Sequence, residues 1–231
     1  MPEIEQPKKI SVPWTARHAW LGLVTCIILS IVITVFFLLI AGVFDVDVSL
    51  DLVLVVSELV FLVPVWWFVF RKFNAGWDSL GFRTFTGKTI GIGCGLVIAA
   101  HIFTILYAAL IVYLLDSPIQ PDLAPVAEEM SFPWLLAFLA VVVAPVVEEI
   151  FFRGLVFAGF YNSYGYQKAA ILSSLIFALG HLQVLAILPL FILGYIFAYL
   201  YHRSGSIVPA IILHFLVNLF AVVGEFVIGS E

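Results

Sequence analysis

Long uncharged apolar runs are the feature of this sequence that most constrains its fold. The first run, Ala19 to Val43, contains no charged residue. It exceeds the roughly 20 residues that a helix needs to cross a bilayer. Hydrophobic residues make up 64% of the chain and charged residues only 11%, a balance far from that of a water-soluble domain. We therefore expect an all-α, polytopic transmembrane helical bundle, because a helix satisfies its own backbone hydrogen bonds in lipid.

The apolar pattern predicts about seven membrane spans, with six to eight compatible with it. The candidate segments are Ala19 to Val43, Leu52 to Phe70, Thr89 to Leu115, Phe132 to Phe160, Ala169 to about His181, a stretch ending at Tyr201, and Ile207 to Ile228. The run from Ala169 to Tyr201 is long for one span, and Gly180 and Pro189 favour a break into two short helices over one. A re-entrant arrangement satisfies the charges equally well. We expect a cytoplasmic segment, residues 1–18, and one transmembrane domain, residues 19–231.

The charged residues predict the orientation of the chain. With the N-terminus inside and seven crossings, all basic residues fall on the inner side: Lys8, Lys9, Arg17, Arg71, Lys72, Arg83, Lys88, Arg153, Lys168 and Arg203. The outer segments carry only acidic residues, such as Asp45, Asp51, Asp122, Glu128, Glu225 and Glu231. This asymmetry follows the positive-inside rule. It predicts a multi-pass protein with a cytoplasmic N-terminus in a prokaryotic plasma membrane, surrounded by lipids and without a nucleic-acid partner.

Ionisable side chains inside the predicted spans indicate a functional site, since each costs at least ~2.5 kcal/mol on insertion scales. They are Glu148 and Glu149 with Arg153, then His181, and finally His214 with the polar Asn218. Glu148 and His181 lie equally far from the predicted turn between their helices, so they are expected to face each other. His214 and Asn218 are four residues apart and share one helix face. Three helices are thus expected to converge on one buried polar site.

This set of side chains suits hydrolysis. A buried carboxylate beside an imidazole can activate a water molecule, which assigns this role to Glu148 and His181. His214 and Asn218 can then donate hydrogen bonds to the oxyanion that forms when water attacks a carbonyl. Glu149 and Arg153 form a helical acid–base pair with a supporting role.

Two other interpretations use nearly the same atoms. His181, His214 and Glu148 can bind zinc as a two-histidine, one-glutamate set with an open position for water, although the His-Glu-x-x-His signature is absent. The same groups can also form a satisfied polar network that only holds helices together. Glu58 is expected to reach the outer interface rather than the site.

The order of these motifs resembles a known family. Glu148-Glu149-x-x-x-Arg153, Phe177-x-x-x-His181 and His214-x-x-x-Asn218 are similar to the motifs of the CAAX-protease and bacteriocin-processing (Abi) family, which includes the type II CAAX prenyl endopeptidases. The resemblance covers a core at about residues 132–220. It implies a membrane endopeptidase in which Glu148 and His181 activate water while His214 and Asn218 stabilise the oxyanion. It is compatible with zinc and with a metal-free mechanism.

Three functions remain open at this stage. The first is an intramembrane endopeptidase that acts on a membrane-associated or CAAX-like peptide or protein, which can be lipid-modified. The second is a non-catalytic immunity or scaffold protein that binds a peptide in the same cavity. The third is a small transporter or proton relay, although no inverted repeat or pair of broken helices supports it.

Overall fold

The computed structural model describes residues 10–120 and 124–228, and all regular structure in these ranges is helical. We number the main helices in chain order. They are α1 (Ala16–Phe44), α2 (Leu50–Lys72), α3 (Gly87–Leu115), α4 (Trp134–Tyr164), α5 (Tyr166–Gly180), α6 (Val184–Ser204) and α7 (Val208–Ile228). Short helices, Trp77–Leu80 and Ala124–Glu129, lie in two of the connections. Lys8, Lys9, Asp122 and Glu231 lie outside the described residues, as does the side chain of Glu225.

The expected all-α, multi-pass membrane bundle is confirmed. Within the described residues, α1, α2, α3, α4 and α6 are long and apolar enough to cross a membrane, and α7 contains a shorter apolar helix, Val208–Gly224. Helix α5 has only 15 residues, which is less than a full span requires. The helix lengths therefore support five spans and shorter apolar helices rather than seven complete spans.

The long apolar run after Ala169 is divided as expected, but at only one of the two proposed positions. Helix α5 ends at Gly180, and Leu182 then adopts a left-handed conformation with a φ of 57°. Pro189 does not break α6, so that part of the prediction was wrong. The α-helical part of α6 begins at Ile187, which places Pro189 in the first turn, where its missing N–H is not needed.

Helix α4 is the centre of the bundle. It packs against α1, α2, α5, α6 and α7, and every residue from Glu149 to Phe160 is buried. Two parts of α4, Leu139–Val143 and Glu149–Phe157, are π-helical. Such wider turns are typical of functional sites.

The segment before α1 is folded against the C-terminal end of α4. Trp14 is fully buried, and its indole Nε1–H donates to the Leu155 carbonyl at 3.1 Å. The Asn162 amide donates to the carbonyls of Val12 and Trp14 at 3.1 and 2.8 Å. These bonds place the start of α1 beside the end of α4, as the predicted topology requires.

Among the residues that the structure describes, the basic ones cluster at this same end of the bundle, with one exception. Lys72 at the end of α2 lies 3.1 Å from His18 in the first turn of α1. The connection before α3 is joined to the start of α7, because the Ile207 N–H donates to the Gly81 carbonyl at 2.9 Å. Arg153 is the exception: it is 1% exposed in the middle of α4, inside the bundle rather than at one of its ends. Which end faces the cytoplasm stays a prediction.

Candidate active site

Three helices present the polar residues that the sequence singled out. Helix α4 carries Glu148, Glu149 and Arg153, helix α7 carries His214 and Asn218, and His181 follows directly after α5. The structure brings the first four of these residues together at the centre of the bundle. The other two lie in its surroundings and make different contacts from those expected.

A chain of three charged or ionisable groups forms the buried part of the site. Arg153 Nε lies 3.1 Å from Glu149 Oε2, and Glu149 Oε1 lies 3.1 Å from His214 Nδ1. The Arg153–Glu149 pair makes an ionic contact but lacks the alignment of a hydrogen bond. Exposure of all three side chains is 5% or less. Glu149 therefore links the helical pair expected from the sequence to the histidine of α7, a contact that the sequence did not indicate.

Arg153 is held by more than its partner carboxylate. Its Nη2 group donates to the Gly194 carbonyl of α6 at 3.1 Å. The guanidinium also lies over the rings of Phe177 and Phe197, at 4.6 and 5.4 Å from their centres, a favourable cation–π geometry. The arginine thereby connects α4 to α5 and α6 and fixes the side of α4 that carries the two glutamates.

The contact with Glu149 decides which nitrogen of His214 is free. An ionised carboxylate can only accept a hydrogen bond, so the Nδ1 of His214 carries the donated proton. Its Nε2 is directed towards Glu148, whose Oε2 lies 3.9 Å away. The ring stacks on Phe197 with a centre-to-centre distance of 5.0 Å. A carboxylate that orients an imidazole in this way is the arrangement that prepares a histidine for proton transfer.

Asn218 donates a hydrogen bond to a backbone carbonyl that the π-helical geometry of α4 leaves free. Its amide nitrogen donates to the Ala140 carbonyl at 2.8 Å. In the π-helical stretch, the Ala144 N–H bonds to the carbonyl of Leu139, five residues earlier. The next bond of that pattern would join Ala140 to residue 145, which is a proline without an N–H. Asn218 satisfies the carbonyl that Pro145 leaves free, and its second amide hydrogen remains available.

His181 is not joined to Glu148 by a hydrogen bond or ion pair among the described contacts. Its Nδ1 instead donates to the Phe177 carbonyl at 2.8 Å, which leaves Nε2 free to accept. The Phe177 ring contacts both histidines, with its centre 4.6 Å from that of His181 and 5.9 Å from that of His214. The expected hairpin turn is present at Gly165, where φ is 77°.

Glu58 of α2 belongs to these surroundings, whereas its position in the sequence predicts a side chain at the outer interface. Its side chain is half-buried, and its Oε1 atom is buried without a hydrogen-bond partner. It lies within electrostatic range of Glu148. Glu58 shares a helix face with Phe61, three residues later, and that spacing is the only signal by which the sequence could have shown its direction.

The residues proposed for zinc are not gathered as a metal site. Among the described residues, no group of three histidine, cysteine, aspartate or glutamate side chains is close enough to hold an ion. The free Nε2 atoms of His181 and His214 are suitable zinc ligands, but no third described side chain completes a group with them. The arrangement described here therefore does not fit zinc, and we derive no step through a metal.

The segment that contains this site is similar to a known protein family. Residues 130–220 match the family described as type II CAAX prenyl endopeptidase Rce1-like. The resemblance indicated by the motifs is confirmed. The matched segment begins just before α4 and ends after Asn218, so it contains all six residues predicted for the site. Glu58 lies outside it.

One curated relative is similar to part of the chain. It is named "Putative membrane peptidase YdiL", from Bacillus subtilis (strain 168), and is 33% identical over 89 residues. That match covers 38% of this chain and 36% of the relative, so the chain matches about a third of the relative's length. No solved structure matches the chain significantly. The family match and this relative both support a membrane-protease kind of function.

Proposed function

We propose that this protein is an intramembrane endopeptidase that hydrolyses a peptide bond in a membrane-associated substrate. The observation that carries the proposal is the buried chain of Arg153, Glu149 and His214, with Glu148 beside the free nitrogen of the histidine. Ionisable groups at membrane depth are expensive and usually functional. A second carboxylate next to an oriented histidine supplies a proton acceptor and a hydrogen-bond donor, both of which hydrolysis by water needs.

The proposed reaction begins with a water molecule near Glu148. Glu148, assisted by His181, accepts a proton from the water while the water oxygen forms a bond to the carbonyl carbon of the peptide. The electron pair of the carbonyl double bond moves to its oxygen and produces the tetrahedral oxyanion. The carbon–nitrogen bond then breaks, the carbonyl re-forms, and the accepted proton passes to the leaving amine. Each proton taken from water is thus returned to a product.

The proposed oxyanion donors are His214 and Asn218. Asn218 uses one amide hydrogen for the Ala140 carbonyl and can direct the other towards the oxyanion. His214 gives its Nδ1 hydrogen to Glu149, so it donates from Nε2 as the imidazolium form. Glu149 and Arg153 hold His214 and α4 in place. A pre-arranged donor of this kind contributes about 100- to 1000-fold to a rate.

The substrate class that we propose is a peptide or protein with a CAAX-like C-terminal segment, which can carry a lipid. This part of the proposal rests on the likeness of residues 130–220 to the type II CAAX prenyl endopeptidases. The site lies at the centre of a bundle whose outer helices expose apolar side chains. A substrate anchored in the bilayer would therefore remain in lipid while its peptide bond enters the site. We retain the prediction of a cytoplasmic N-terminus.

The test is cleavage of a fluorogenic library of CAAX-like peptides, with and without a prenyl group, by detergent-purified protein. We expect the wild type to cleave and Glu148→Ala to lose activity by at least about 100-fold. Glu129→Ala, which removes an exposed acid outside the site, should retain full activity and serves as the matched control. Full proteolytic activity of a folded Glu148→Ala protein would contradict the proposed role of Glu148 as the proton acceptor. A zinc chelator in parallel samples tests the metal alternative: loss of wild-type activity would support a metallopeptidase.

One observation favours a second candidate, the non-catalytic immunity or scaffold protein. Both proposed oxyanion donors already have partners within the bundle, because His214 contacts Glu149 and Asn218 contacts Ala140. A purely structural network would show the same contacts. If the scaffold function is correct, the phenotype of a deletion strain should be restored equally well by wild-type protein and by Glu148→Ala.

A further inference from the structure

Helices α2 and α4 begin side by side and run in the same direction. Asp51, in the first turn of α2, accepts hydrogen bonds from the N–H groups of Ser131 and Phe132 at 2.9 and 3.1 Å. These two residues lie immediately before α4. The carboxylate thus fastens the start of α2 to the entry of α4, and further along the two helices are again in contact, between Leu50–Leu59 and Ala144–Glu148.

The contacts further along place Glu58 beside Glu148. The ring of Phe61 packs against Phe151 and Phe152, with centre-to-centre distances of 5.1 and 5.8 Å. Glu58 lies three residues before Phe61 on α2, and Glu148 lies three residues before Phe151 on α4. The helical segments that carry them, Leu50–Leu59 and Ala144–Glu148, are in direct contact, and Glu148 lies within electrostatic range of Glu58. The two glutamates lie about one helical turn before the aromatic contact. They therefore face the same space between α2 and α4.

Both carboxyl groups have an unused buried oxygen. Glu58 Oε1 and Glu148 Oε2 are shielded from solvent and have no hydrogen-bond partner among the residues that the structure describes. Buried polar atoms are rarely left unsatisfied, and a carboxylate oxygen can only be satisfied by a donor. Two acceptors that face each other repel unless a donor lies between them. A water molecule, with two hydrogens, can donate one to each oxygen and so satisfies both.

We propose that Glu58 positions the attacking water, by accepting one of its hydrogens while Glu148 accepts the other. This inference rests on the proposed peptidase function and adds to it a residue from outside the family-like segment. With both hydrogens held, the lone pairs of the water oxygen are directed away from the two carboxylates and towards the substrate carbonyl. The proton on the Glu148 side is the one transferred on attack. The other remains on the new carboxyl product until it is released.

The first test separates turnover from binding. We expect Glu58→Leu to lower kcat by about 10- to 100-fold with little change in KM, since misplacing a reactant costs rate rather than affinity. Glu58→Gln should lose less, because its amide oxygen still accepts a hydrogen bond. Ser57→Ala, at the exposed neighbouring position, is the matched control and should behave as wild type. A Glu58→Leu enzyme with unchanged kcat, beside an inactive Glu148→Ala enzyme, would overturn the inference and leave the proposed function standing.

The second test does not depend on turnover. Thermal unfolding midpoints of Glu58→Gln, Glu148→Gln and the double variant measure whether the two residues act on each other. We expect the shift of the double variant to differ from the sum of the single shifts by more than about 1 °C. Additive shifts would contradict a shared water. A wild type that cleaves no peptide would overturn both the proposed function and the role of Glu58, which distinguishes this result from the failure of Glu58 alone.

Discussion

Helices α3 and α4 look alike in sequence and occupy opposite environments in the structure. Their most apolar windows have the same mean hydropathy. In α4, however, 39% of that window is buried inside the protein, against 6% in α3. Helix α4 contacts five of the other main helices, whereas α3 packs mainly against α6 and α7. Apolar composition therefore determines that both enter a membrane but not which of them is surrounded by protein.

The difference lies in the residues that interrupt the apolar pattern. Helix α4 carries Glu148, Glu149 and Arg153, and its backbone widens into π-helical turns around Pro145. Each of these features needs a partner from another helix. Helix α3 carries His101 with no hydrogen bond or ion pair described, and its Thr104 hydroxyl bonds to a carbonyl of the same helix. A helix that satisfies its own polar groups can face lipid, whereas one that cannot must be enclosed.

The largest effect should come from removing the buried cation of α4. We expect Arg153→Met to destabilise the protein by about 3–5 kcal/mol, because the buried Glu149 would lose its guanidinium partner and keep only the contact with His214. The measurement is denaturant or thermal unfolding in detergent. Lys88→Met, which removes an exposed cation at the start of α3, should change stability by less than about 0.5 kcal/mol. Equal stability of the two variants would contradict the proposed difference between the buried polar groups of α4 and the exposed ones of α3.

Glycines in the two helices should respond oppositely to an added methyl group. A Cβ at Gly154 would lie 2.8 Å from Leu80 Cδ2 and 3.3 Å from the Leu80 carbonyl oxygen. Gly154→Ala should therefore cost about 1–3 kcal/mol through overpacking. A Cβ at Gly91 meets nothing within 4 Å, so Gly91→Ala should stabilise α3 by up to about 1 kcal/mol. Thermal unfolding of the pair shows whether the signs differ.

The dependence of α4 on a neighbouring helix can be tested at Asn218. Its replacement by alanine leaves the Ala140 carbonyl without a partner, and we expect a loss of about 1–2 kcal/mol. Thr104→Ala removes a bond within α3 and should have almost no effect, since the carbonyl of Ala100 can still take part in the helix. Hydrogen exchange at Ala144 should also increase in the Asn218 variant if this bond fixes the π-helical turn. Unchanged exchange would contradict that role.

The smallest expected effect tests which face of α3 packs against other helices. Gly93 is the glycine of that helix whose Cβ would meet Leu213 and Leu200. Because these atoms are the ends of flexible side chains, Gly93→Ala should cost no more than about 1 kcal/mol. Gly95→Ala, at a position open to its surroundings, is the control and should not destabilise. A greater loss at Gly95 would mean that the packed face of α3 has been misassigned.

The positions of the helices were largely predictable, and their details were not. Each of the seven apolar segments corresponds to one helix, because apolar length and backbone hydrogen bonding decide this locally. The span count was less certain, since α5 is shorter than a bilayer crossing. The break after Gly180 was predicted correctly, because glycine weakens a helix. The break predicted at Pro189 was wrong, because a proline is tolerated in the first turn of a helix.

The sequence by itself determined that this is an all-helical membrane protein and which polar residues deserve a function, because the cost of polar groups in lipid depends only on their chemistry. It also carried the motifs of the family. Only the tertiary structure decided that Glu149 binds His214, that Asn218 completes α4, and that Glu58 faces Glu148. These contacts join residues far apart in the chain. They depend on how α2, α4 and α7 are packed and rotated, which no local pattern specifies.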